Sequence, residues 1–297
     1  MMCSFVPIRC RAAGAAFALA TVLLAGSAAA APSVPAGALE VSARADAAPA
    51  GEAVPKRPTA REQLDYATGL KTGLRGQTGP ARDEGRAAAV RAYRAVRELF
   101  PAEAPVCAEA AFRAGELLRS SGDNGAAVTE FRYAREHGGE TPFRVRALLE
   151  IGHVERRAQR FQEALTAYEG VSTDAAATPG QKDDASLWAG TVYAELGRPD
   201  DARRAWTRVA ESAEDPLDRV RAYDQLALAA VGRGDLEGAA GLLERCREAL
   251  ADSAAEETKL GERVRNAVAD MRAHDAVQRA VAKRTREREQ PKPVSKP

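Results

Sequence analysis

Residues 105–141 read PVCAEAAFRAGELLRSSGDNGAAVTEFRYAREHGGET, and the pattern of this stretch begins again at Pro142, Pro179 and Pro216. The four prolines that start these stretches are each separated by 37 residues. The residues directly before the last three prolines are Thr141, Thr178 and Asp215. Proline is favoured in the first turn of a helix, and a preceding hydroxyl or carboxylate caps that turn. The spacing therefore predicts that a helix starts once in every unit.

Each unit carries two further markers at fixed positions. The small residues of the first helix occur in the pairs Ala114-Gly115, Ile151-Gly152, Ala189-Gly190 and Leu226-Ala227. After a turn come an alanine and, four residues later, a large apolar residue: Ala127 and Phe131, Ala164 and Tyr168, Ala202 and Trp206, Ala239 and Leu243. Spacings of three and four place side chains on one face of a helix. Each unit is therefore predicted to be two helices that pack closely across the small residue.

The chain on either side of these units continues the helical pattern. Ala89, Tyr93 and Val96 repeat the second-helix marker, which predicts an earlier unit with its first helix at 61–74 and an insertion at 77–84. After the last unit, apolar residues from Leu260 to Met271 mark one more amphipathic helix. A repeat array must cover its terminal apolar face, so this segment is predicted to be a cap.

The markers resemble those of the tetratricopeptide repeat (TPR) family, which has a small pair in helix A, a glycine-containing turn and an alanine-to-aromatic spacing in helix B. The period is longer than the usual ~34 residues, as extended connecting turns would explain. The stretch AEAAFRAGELLRSSGDNGAAVTEF at 108–131 is similar to exported bacterial envelope TPR proteins associated with outer-membrane assembly or the Tol-Pal system. The resemblance implies an all-α, right-handed TPR solenoid of about five helix pairs at 61–250, with a capping helix at 251–272.

The two ends of the chain read differently from the repeats. Residues 1–30 combine Arg9 and Arg11 with a small apolar stretch and the A-x-A exit at Ala28 and Ala30, which predicts a signal peptide cleaved after Ala30. The alternative is an uncleaved anchor, and only then is the membrane a partner. Residues 31–60 are rich in Ala and Pro and predict a flexible linker. Residues 273–297 predict a basic, mostly disordered tail, either solvated or in contact with a phosphate-bearing or acidic group.

Composition and motifs argue against several functions. The chain has 43 basic and 42 acidic residues and a net charge of +1, which disfavours a nucleic-acid binder. It contains no P-loop, dinucleotide-binding, nucleophile-elbow or zincin motif. Its three histidines, at 137, 153 and 274, lie at no ligand spacing, so no metal or cofactor is predicted. Cys107 and Cys246 lie three units apart, too far for a disulfide. The sequence therefore predicts a non-enzyme.

The family resemblance implies where a partner would bind. In TPR proteins the first helices line a concave groove, and the matching positions here are Phe112, Arg113, Glu116, Arg119, Arg146, Leu149, His153, Arg156, Arg157, Trp188, Thr191 and Glu195. Their arginines predict a mildly basic, partly apolar groove for an acidic or carboxylate-ending segment of an envelope protein, unless they are merely solvated. The family's carboxylate clamp relies on groove asparagines, and Asn124 and Asn266 lie at no groove position. The predicted function is an exported protein-binding scaffold. A self-assembling envelope protein and a non-catalytic subunit of an enzyme complex are the alternatives.

Overall fold

The computed structural model describes residues 53–289, and every regular element in this part of the chain is a helix. The helices are α1 (Ala60–Thr72), α2 (Gly79–Leu99), α3 (Ala104–Ser121), α4 (Asn124–His137), α5 (Pro142–Arg157), α6 (Phe161–Thr173), α7 (Pro179–Glu195), α8 (Pro199–Ser212), α9 (Pro216–Gly232), α10 (Leu236–Ala249), α11 (Ala251–Ala255), α12 (Lys259–Ala269) and α13 (Arg272–Glu289). The predicted signal peptide, most of the predicted linker and the end of the predicted tail lie outside the described residues.

The first ten helices form five consecutive pairs, and each pair packs against the next. The odd-numbered helix of each pair, called helix A here, also contacts the helix A of the following pair. The predicted starts are confirmed, because Pro142, Pro179 and Pro216 each begin a helix. Thr178 and Asp215 accept hydrogen bonds from backbone N–H groups of the first turn, whereas the Thr141 side chain makes no such bond.

The two helices of a pair are held by an aromatic ring of helix B that lies against a helix A glycine. The ring of Phe131 covers Gly115, that of Tyr168 covers Gly152, and that of Trp206 covers Gly190. A Cβ atom at Gly115 would lie 2.6 Å from Phe131 Cε1, which is closer than any real contact. The three rings are almost completely buried. Glycine is therefore required at this helix A position in these three pairs. In the first pair the buried Tyr93 of α2 lies on no glycine and instead donates a hydrogen bond to Thr68 of α1.

The tight turns within the pairs use one backbone conformation. Gly122, Gly197 and Gly234 have φ values of 87°, 68° and 78°, and Gln159 has a φ of 58° at the corresponding place. A residue in this left-handed region ends helix A and reverses the chain, and glycine adopts it without a steric penalty. The fold does not depend on glycine at every turn, because Gln159 takes the same conformation.

The first pair differs from the prediction at both of its helices. The predicted insertion at 77–84 is mostly helical and lengthens α2 at its N-terminus. Residues 53–59 were predicted to be flexible linker, but they pack against α1. Gln63, which is completely buried, donates from Nε2 to Pro55 O at 3.3 Å and accepts from Arg57 N at 2.8 Å. Residues 53–59 are therefore part of the packing of the first pair.

The C-terminal end also differs from the prediction. Residues 251–272 form two helices rather than one, and residues 272–289 form a helix rather than disordered chain. The reason is a contact with α9. The buried carboxylate of Asp224 accepts hydrogen bonds from Ala273 N at 2.9 Å and from Arg272 Nε at 3.1 Å. Because these donors lie at the start of α13, Asp224 anchors that helix on the last repeat.

We expect a Gly115→Ala substitution to lower the free energy of unfolding by about 1–3 kcal/mol, because the added methyl group collides with the Phe131 ring. Gly241→Ala is the matched control. Gly241 lies within α10 with no neighbouring atom near its added Cβ, so alanine there should stabilise the protein by about 1 kcal/mol through helix propensity. Urea denaturation measures both changes.

The collision should be relieved by Phe131→Leu in the Gly115→Ala background, because the fifth pair has alanine and leucine, Ala227 and Leu243, at these two positions, both buried in one apolar cluster. The double variant should therefore be more stable than the sum of the two single effects. Strict additivity of the two free-energy changes would contradict the proposed packing.

Candidate functional site

One face of the A helices presents polar and aromatic side chains in the same positions of each repeat. This face, called the A-face here, consists of Glu109, Arg113, Glu116 and Ser120 on α3, Arg146, Glu150, His153 and Arg157 on α5, and Asp184, Trp188, Thr191 and Glu195 on α7. The members on each helix are spaced by three or four residues and so follow one stripe. Nine of the twelve are half-buried, and the last member on each helix is exposed: Ser120, Arg157 and Glu195.

Ion pairs connect neighbouring A helices along the first half of the A-face. Glu116 Oε2 lies 3.3 Å from Lys71 Nζ of α1, and Glu116 Oε1 lies 3.9 Å from Arg146 Nη2 of α5. Arg119 Nε lies 3.2 Å from Glu150 Oε2, as an ion pair without hydrogen-bond alignment. Because each of these arginines faces a carboxylate, their charges are largely compensated. The predicted basic groove is therefore close to neutral here.

Two of the predicted groove residues lie in the core. Phe112 and Leu149 are 1% and 8% exposed, and both belong to the apolar cluster between α3, α4, α5 and α6. Both residues occur three positions before the glycine that faces helix B, and that side of helix A packs inward. Phe112 still supports the A-face from below, because the guanidinium of Arg146 lies 4.5 Å from the centre of its ring.

A cluster of aromatic and cationic groups lies where α5 meets α7. The guanidinium of Arg156 lies 4.2 Å from the Trp188 ring centre, and the His153 ring approaches the same indole edge-on at 5.6 Å. His153 Nδ1 is hydrogen-bonded to the Tyr168 hydroxyl at 2.9 Å, and His153 Nε2 lies 3.7 Å from Asp184 Oδ2. Burial raises the pKa of Tyr168, and Arg156 offsets part of that rise. The phenol is thus a buried hydrogen-bond partner rather than a nucleophile.

The remaining predicted residues take simple positions. Arg113 lies between Glu109 and Glu116 on its own helix, at 3.7 Å and 3.3 Å. The Thr191 hydroxyl donates to Leu187 O at 3.3 Å. Arg157 and Glu195 are exposed. Every predicted residue except Phe112 and Leu149 therefore has side-chain atoms at or near the A-face.

Sequence reasoning missed two carboxylates of the A-face. Glu109 pairs with Arg61 of α1 at 3.3 Å, and Asp184 pairs with His153. Each lies six residues before the glycine of its repeat, and Arg146 occupies that place on α5. The alternation of acidic and basic residues at this position was the available signal for pairing between repeats.

Comparisons with known proteins agree with this architecture. A tetratricopeptide repeat family model matches residues 184–215, which span most of α7 and all of α8. A solved tetratricopeptide repeat protein from Parabacteroides merdae matches with 15% identity and a TM-score of 0.51, covering 79% of this chain and 80% of its own. The fold is a TPR solenoid. A MamA RS-1 double mutant matches with 17% identity and a TM-score of 0.51, covering 67% of this chain and 99% of its own.

A third TPR-like structure is that of PilW, described as a widely conserved type IV pilus biogenesis factor. It is 15% identical, covers 77% of this chain and 93% of its own, and has a TM-score of 0.47. No curated protein matches the sequence at a significant level. At these identities the likeness concerns the fold alone, and the family match supports the TPR assignment.

The described helices offer neither a metal-binding cluster nor a membrane-spanning segment. Within residues 53–289, no group of three or more His, Cys, Asp or Glu side chains is arranged to hold a metal ion. No helix in that range is both long and apolar enough to cross a membrane.

Cys107 and Cys246 are buried free thiols, as the sequence predicts. Burial raises the pKa of Cys246 to about 11 and also raises that of Cys107. Neither thiol is therefore an activated nucleophile at neutral pH.

Proposed function

We propose that this protein is an exported, non-enzymatic TPR scaffold that holds a segment of another envelope protein on its A-face. The observation that supports this proposal best is the half-buried cluster of His153, Arg156 and Trp188. Aromatic and arginine side chains of this kind are typical anchors of protein interfaces. A rigid face made of successive helices also requires little ordering when a segment binds.

Three features of the chain support the remaining parts of the proposal. The A-x-A exit at Ala28 and Ala30, at the end of an apolar stretch, supports export. The buried thiols and the buried Tyr168 phenol offer no reactive group, which supports a binding role rather than catalysis. The partner is a protein or peptide, because the A-face follows successive helices over a longer distance than a small ligand spans.

The binding proposal predicts that A-face charges control capture of a partner from envelope extract. The bait is residues 31–297, and the test variant is Ser120→Arg/Arg157→Glu/Glu195→Arg, which changes one exposed position on each of α3, α5 and α7. The control is Arg132→Glu/Arg135→Glu/Glu136→Arg, which changes three exposed positions on α4. We expect the test variant to lose the partner and the control to retain it, with unchanged circular dichroism for both.

Two outcomes would contradict the binding proposal. Loss of the partner from the α4 variant alone would place the interface on the B helices. Recovery of only the bait itself, together with a mass that rises with concentration in light scattering, would favour the self-assembling alternative.

Export predicts a defined mature N-terminus. When the full chain is expressed in its native cells, N-terminal sequencing of the envelope fraction should begin at Ala31. Ala28→Arg/Ala30→Arg should block cleavage, because the processing site requires small residues. Recovery of the wild-type chain in the cytosol with Met1 still present would contradict export.

A further inference from the structure

Arg119 and Arg156 occupy the same position in consecutive repeats but meet different neighbours. Each lies four residues after the glycine of its helix, Gly115 or Gly152. Arg119 reaches the next helix A at Glu150, two residues before Gly152. Arg156 reaches the next helix A at Trp188, which likewise lies two residues before its glycine. An indole therefore stands at the place where the preceding repeat supplies a carboxylate.

Because Trp188 stands where Glu150 stands in the preceding repeat, Arg156 has no carboxylate to pair with on the next helix A. Among residues 53–286, whose side chains the structure describes, no carboxylate forms an ion pair with the Arg156 guanidinium. Its Nε atom is shielded from solvent and has no hydrogen-bond partner. The Trp188 ring fixes the guanidinium plane through a cation–π contact, so the orientation of its donors is already set. The guanidinium also lies beside the Tyr168 hydroxyl, and because its Nε is shielded, a ligand oxygen would bind its terminal Nη groups.

We propose that Arg156, held on Trp188, is a subsite for one carboxylate group of the bound segment. The planar guanidinium suits a carboxylate, which accepts two parallel hydrogen bonds from it. Arg157, the next residue, is exposed and adds positive charge, whereas His153 is already paired with Tyr168 and Asp184. The carboxylate belongs either to an Asp or Glu side chain or to a chain terminus. This inference rests on the proposed function and names the chemistry that the A-face recognises.

Nuclear magnetic resonance of the arginine Nε–Hε groups tests the subsite in the protein comprising residues 31–297. The probes are N-acetylglutamate α-amide for a side-chain carboxylate, N-acetylalanine for a terminal carboxylate, and N-acetylglutamine α-amide as the neutral match. We expect the Arg156 signal, assigned from its loss in Arg156→Gln, to shift and saturate with one or both carboxylates. Binding of the neutral probe should be weaker by about tenfold or more. The carboxylate that binds more tightly identifies the source.

Two substitutions of Trp188 separate this role from a structural one. Trp188→Glu restores the carboxylate that Glu150 supplies in the preceding repeat, so the Arg156 signal should no longer respond to the probes. Trp188→Gln removes the same indole without adding a charge, and the Arg156 signal should still respond. An equal response of both variants would overturn the inference. So would a wild-type response in which Arg113 or Arg146 shifts as much as Arg156.

The two proposals fail in different ways. If the partner is captured through the A-face but Arg156 does not respond to carboxylates, the scaffold function stands and the subsite is wrong. If Arg156 responds to carboxylates but A-face variants capture the same partner as the wild type, the proposed binding face is wrong, and Arg156 binds carboxylates without being the subsite for that partner.

Discussion

The close approach of the two helices in each repeat is the constraint on which the rest of the structure depends. An aromatic ring of helix B lies directly on a glycine of helix A in three consecutive pairs, and no side chain can be added there without moving the ring. In the fifth pair the corresponding positions are held by Ala227 and Leu243, so a smaller helix B side chain leaves room for the alanine methyl group. Because interiors are tightly packed, this contact sets both the distance and the rotation of helix A.

The rotation of helix A determines which residues reach the A-face. Once the glycine faces helix B, the residues on the other side of helix A meet those of the next repeat. Ion pairs such as Arg119 with Glu150 then connect consecutive repeats. Because the paired atoms of Arg119 and Glu150 are shielded from solvent, the cost of removing both charges from water offsets much of their attraction. The main effect of these ion pairs is to neutralise the A-face, so Arg156, which lies on the A-face residue Trp188 and has no carboxylate partner, is the most distinctive position beside it.

The sequence predicts the repeats well because their markers are local. The period of 37 residues, the prolines and the glycine turns each depend on neighbours within one helix pair, and the pairing of Trp206 with Gly190 follows from register alone. The burial of Phe112 and Leu149 does not follow, since the same spacing suits both a core face and a binding face. Asp224 anchors α13 through hydrogen bonds to residues 48 and 49 positions later in the chain. A contact over this distance cannot be predicted from a local sequence pattern.

Hydroxyl-radical footprinting of the protein with its captured partner tests the binding face most directly, because it reports the solvent exposure of individual side chains. His153 and Trp188 report on the A-face, and His137, which is exposed on α4, reports on the opposite helices. The account predicts that the partner slows oxidation of His153 and Trp188 and leaves His137 unchanged. Protection of His137 with no change at Trp188 would contradict it.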